Sequence, residues 1–117
     1  MSELDTALEA FLSHPGVEHI LLLGRDGLLI QHAGAGGLDA DTVSAMVPGL
    51  ASTGAALGEA AGLGEADTVV VRMAGGVAVV AVLSAEVLLA VFLRGGVGFA
   101  RLLAELAERR PALAALV

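Results

Sequence analysis

"GGVAVVAVLSAEVLLAVFLRGG", residues 75–96, is long and apolar enough to raise two readings: a membrane span, or two strands buried in a soluble core. Between its glycine pairs only Ser84, Glu86 and Arg94 are polar. A spanning helix needs about 20 apolar residues, and a carboxylate near its centre costs about 2.5–3.5 kcal/mol. Glu86 sits in that central position. Val77, Val79, Val80, Val82, Val87 and Val91 are β-branched, which favours strand, and glycine pairs punctuate both ends. The stretch therefore reads as two strands of about seven residues broken at Ser84-Ala85-Glu86, and no membrane span is expected.

Working outward, the segment 67–74 reads as a third strand joined to these two through Gly75-Gly76. Near the N-terminus, Ser2 and Asp5 form a capping box for a helix whose apolar face is Leu4, Leu8, Phe11 and Leu12, ended by His14-Pro15-Gly16. Residues 18–24 and 28–33 make a hairpin through Arg25-Asp26-Gly27. After the loop Gly34-Ala35-Gly36-Gly37, Asp39 or Asp41 caps a middle helix expected to reach about Leu63. Its apolar stripe is Val43, Val47, Leu50, Gly54, Leu57 and Ala61. Pro48 is expected to kink it. The last helix is expected to have Phe99, Leu102, Leu103 and Leu106 as its apolar face, and Pro111 to stop it or come just after its end.

The order is helix, two strands, helix, three strands, helix, an α/β fold with one five-stranded, largely antiparallel sheet. The strands ILLL, VAVVAVL and VLLAVFL are continuous apolar runs, the pattern of a sheet covered on both faces. With the terminal helices on one face, a single middle helix about 10–12 Å across is left to cover a sheet about 24 Å wide. Some apolar area should stay bare, and bare apolar area marks an interaction surface. Beside the stripe, Thr42, Met46, Gly49, Thr53, Ala56 and Ala60 form a face of mostly small, uncharged residues that another helix could approach closely.

At 117 residues the chain is expected to be a single domain, residues 1–117. Its formal net charge is −7, with six scattered arginines and no lysine, which argues against nucleic acid as a partner. It has no cysteine, and its acidic, amphipathic start is unlike a signal peptide, so a cytoplasmic location is expected.

No catalytic, cofactor or metal residues are expected. His14, His19 and His32 do not fall into a helical metal-ligand pair; His14 is expected to cap a helix end, and the other two to face solvent or a neighbouring strand. The glycine loop 34–37 lacks the Lys-Ser/Thr of a phosphate loop, and Ser13, Ser44, Ser52 and Ser84 have no evident base.

The order of these pieces resembles the roadblock/dynein-light-chain superfamily nearly end to end. VEHILLLGRDGLLI, AMVPGLASTGAALGEAAGLG, TVVVRMAGGVAVVAVL and LLAVFL carry the resemblance. It implies a homodimer joined edge to edge through the third strand, here Thr68, Val69, Val70, Val71, Arg72 and Met73, with the two middle helices side by side. It also implies a non-enzymatic partner of a small Ras-like GTPase, as in the gliding-motility (MglB-like) type, docking through Thr42, Ala45, Met46, Gly49, Thr53 and Ala56. The alternative within the family is a scaffold or dimerisation subunit with no effect on nucleotide hydrolysis.

Two features depart from relatives: Ser84-Ala85-Glu86 stands where Gly or Asp is common, and Pro48 interrupts the docking helix. The middle helix has no Arg or Lys to insert into a GTPase site. Any activation is therefore expected to reposition the GTPase's own groups. Arg72 is expected to discourage random strand pairing or to make a salt bridge across the dimer.

Overall fold

The computed structural model describes residues 2–117. The elements are α1 (Glu3–Leu12), β1 (Val17–Gly24), β2 (Leu29–Gly34), α2 (Ala40–Ala60), β3 (Thr68–Met73), β4 (Gly76–Val82), β5 (Val87–Arg94) and α3 (Ala100–Ala115). The five strands form one antiparallel sheet in the order β2-β1-β5-β4-β3. The most apolar strands, β4 and β5, are therefore interior, while β2 and β3 are the edges.

Both faces are covered, unequally. Leu8 and Phe11 of α1 and Leu102, Leu106 and Leu113 of α3 pack with Ile20, Leu22, Val79 and Val91 in one core. On the other face Val47 and Ala51 of α2 pack with Leu21, Leu23, Val80 and Leu88. Period-two alternation sends neighbouring residues of each strand into these separate cores, which is why the strands read as unbroken apolar runs. No helix among the described residues is long and apolar enough to cross a membrane.

The local signals explain most ends. The Asp5 amide donates to Ser2 Oγ at 3.1 Å and the Ser2 amide to Asp5 Oδ2 at 3.3 Å, so the capping box is formed. At the β4–β5 connection Ser84 Oγ accepts from the amides of Glu86 and Val87, at 3.3 and 3.2 Å. A serine side chain thereby supplies the bonds that hold this turn.

Three expectations are corrected. Pro111 lies inside α3 rather than ending it. Proline deletes one backbone bond, and burial of Leu113 and packing of Ala114 against the core hold the next turn in place. The middle helix stops at Ala60 instead of Leu63: Gly62, at φ +71°, donates to the Glu59 carbonyl and Leu63 to the Gly58 carbonyl, a glycine-terminated C-cap. His14 does not cap a helix with its ring, which instead meets the Glu105 carboxylate of α3. It stacks on Phe11, and Arg109 reaches Glu105 at 3.3 Å while lying over the Phe11 ring.

Phe11 is thus both a core residue and the ring on which His14 stacks and over which Arg109 lies, beside their shared partner Glu105. Phe11→Ala should lower unfolding free energy by about 3–5 kcal/mol in denaturant titration.

Candidate interaction surface

The α2 helix is set on the sheet by small residues. Its buried seam is Ser44, Val47 and Ala51, continued by the half-buried Gly54 and Gly58, at spacings of three and four. A Cβ on Gly54 would stand 2.9 Å from Val69 Cγ2, and one on Gly58 would stand 2.2 Å from the Gly64 carbonyl oxygen. These glycines let the helix lie close to its own sheet edge and to the loop after it. Ser44 is wholly buried and its hydroxyl donates to the Gly27 carbonyl at 2.9 Å, tying α2 to the β1–β2 turn.

The expected stripe is therefore corrected at its end. Leu57 is 67% exposed and Ala61 lies beyond the helix, also exposed. The last turns run along the β3 edge, where Gly54 and Gly58 take the inner positions and Leu57 is turned outward. The helix is continuous through Pro48, whose missing amide leaves the Ser44 carbonyl without its usual helical donor.

Thr42, Ala45, Met46, Gly49, Thr53 and Ala56 are all exposed on α2. Met46 is 70% exposed, and a Cβ on Gly49 would meet nothing within 4 Å. With Leu57 they make an outer face holding two large apolar side chains and no basic group.

Strand β3 hydrogen-bonds to β4 on one side only. Thr68, Val69 and Val71 are partly buried, whereas Val70 is 38% exposed, Met73 53% exposed, and Arg72 exposed. Val69 packs on the α2 side, so alternation puts Val71 and Met73 on that face too. Arg110 braces the other face: its guanidinium donates to Thr68 Oγ1 at 2.8 Å and to the Asp67 carbonyl at 3.2 Å. Among the described residues Arg72 makes no ion pair.

A cleft of about 760 Å³ lies between the end of α2 and the β4–β5 connection, lined by Arg25, Glu59, Glu65, Asp67 and Arg110 among others. Its arginines are committed to structural bonds, Arg25 to the Ala85 carbonyl at 2.7 Å and Arg110 as above. Among the described residues no three His, Cys, Asp or Glu side chains converge as a metal-ion site.

The chain belongs to the Roadblock/LC7 domain family, which matches it over residues 3–92. A Roadblock/LC7 domain from Streptomyces avermitilis is similar at 26% identity, covering 98% of each chain with a TM-score of 0.85. The gliding protein MglB from Thermus thermophilus is similar at 22% identity over 96% of this chain and 86% of its own, TM-score 0.84. An MglB in a tetrameric arrangement shares 21% identity over 96% and 85%, TM-score 0.85. No curated protein matches.

The entry to α2 is held by a charge. Thr42 Oγ1 donates to Asp39 Oδ2 at 2.7 Å and its amide to Oδ1 at 3.2 Å, and these bonds keep the Asp39 carboxyl below its ordinary range. A lowered folded-state pKa adds stability above the unfolded value and loses it as pH falls through the folded one. Hydrogen-exchange protection at the first turn of α2 should thus decline in acid, below the usual carboxylate range. Asp39→Asn, which keeps a cap without the charge, should flatten that decline.

Proposed function

We propose that this chain is a non-enzymatic regulatory partner: a homodimer, joined through β3, that binds a small Ras-like GTPase on the outer face of α2. The observation that carries the reading is the pairing of an open, partly apolar β3 edge with an adjoining helix face of small residues around Met46. Family membership and the MglB-like fold support it. A second strand on β3 would complete its hydrogen bonding and extend the α2-side sheet face past Val71 and Met73. It would also bring the two α2 helices, whose last turns run along β3, toward each other on one face.

The chemistry of the docking face limits the mechanism. With no Arg or Lys on α2, any effect on hydrolysis works by repositioning the GTPase's own catalytic groups rather than by an inserted guanidinium. The same lack of basic groups favours the second reading, a scaffold that binds without altering hydrolysis.

Two experiments test these statements separately. Val70→Asp and Val71→Lys should each raise the dimer dissociation constant by about a hundredfold, because the new charge would be enclosed at the join; multi-angle light scattering across a dilution series reads this. An unchanged dimer places the join elsewhere.

For the partner, Met46→Glu and Gly49→Leu should weaken GTPase binding about tenfold while leaving the dimer intact. Binding to a candidate GTPase loaded with GDP or a GTP analogue, together with its hydrolysis rate, is the measurement. Binding independent of nucleotide, with hydrolysis unchanged, assigns the scaffold.

A further inference from the structure

His19 of β1 and His32 of β2 lie diagonally across the hairpin, since His19 pairs with Gly34 and Leu21 with His32. Both are half-buried. His32 Nε2 stands 3.4 Å from His19 Nδ1, the ring centroids are 5.6 Å apart, and the ring planes are inclined by 36°. Register and alternation put them on the α2 side of the sheet with Phe92, the β5 residue paired to His19.

The space for this arrangement comes from Gly34, at φ +132°. A Cβ there would stand 3.0 Å from His19 Nδ1, 2.9 Å from His19 Cα and 2.2 Å from the Glu18 carbonyl oxygen. The missing side chain leaves the His19 ring free to turn Nδ1 toward its neighbour.

We propose that His19 and His32 chelate one divalent transition-metal ion, taken from the borderline cations that imidazole prefers. Two nitrogens each about 2.0–2.1 Å from a tetrahedral ion stand about 3.4 Å apart, the separation already present between these rings. Each facing nitrogen gives a lone pair, and each ring keeps its proton on the far nitrogen, His19 Nε2 and His32 Nδ1. Both ligands therefore stay neutral. Water fills the remaining positions, as no third side chain converges there among the described residues. The ion would pin the edge strand β2 to β1, so binding adds to the stability of the hairpin.

The probes are Zn²⁺ and Cu²⁺ alone, titrated calorimetrically into the full chain without an affinity tag. The expected result is saturable binding of one ion per chain, Cu²⁺ tighter than Zn²⁺ and no response to Mg²⁺. A higher melting temperature should accompany saturation with Zn²⁺. His19→Ala and His32→Ala should each abolish the heat of binding, and His14→Ala, which alters only the α1–α3 contact, should keep it. Because a variant could misfold, paramagnetic resonance of the Cu²⁺ complex of the unaltered chain is the second measurement, expected to show two imidazole nitrogens bound to the ion. No saturable binding, binding that survives loss of either strand histidine, equal loss in His14→Ala, or a spectrum without two imidazoles would overturn the proposal. The pair would then be a metal-free hydrogen-bonded contact.

Discussion

Strands β4 and β5 carry a single charged side chain between them, Arg94, and lie side by side inside the sheet. Neither face of such a pair tolerates water, so the chain must supply a layer above and a layer below. Two helices meet that demand on one side, where α1 and α3 are joined through Phe11, His14, Glu105 and Arg109. On the other side one helix must serve, and α2 does so by crossing the end of the sheet that holds Leu23, Leu88 and Val80. Phe92 and Met73, at the far end, are left partly open. The imbalance of cover follows from three helices dividing over two faces.

The way α2 sits explains why the same helix has a crowded side and a vacant one. Inner glycines at 54 and 58 bring its backbone against Val69 and Gly64, and the buried Ser44 hydroxyl fastens its other end to the hairpin turn. Gly49, of the same residue type and on the same helix, faces open space. Gly54 and Gly58 thus serve close packing on the helix's own sheet and loop, whereas Gly49 has no such contact. At the sheet margin, Arg110 fastens β3 on the α3 side without touching its free edge, so the strand is held in place while its outer hydrogen bonds remain available.

Much of this was legible in the residues. β-branched runs between glycine pairs marked β4 and β5, and Ser2 and Asp5 marked the start of α1. What was not legible depends on contacts distant in the chain. Pro111 reads locally as a stop, yet Leu113 packs in the core and the helix continues. Leu57 fits the apolar period of α2 but is turned outward, because Gly54 and Gly58 hold the inner positions near β3. His14 and Glu105, 91 residues apart, carry no local sign of their meeting. Nor does spacing alone place His19 beside His32, since their approach depends on hairpin register and on Gly34.

Sequence by itself determined the element types and their order, and it required a sheet shielded on both faces. Local propensity and period-two burial act within a few residues, so they can be read from a line of letters. Tertiary structure alone decided which strands became edges, which glycines of α2 were filled by neighbours, and which polar side chains met. Those outcomes depend on strand register and helix seating, quantities set only when distant segments pack against one another.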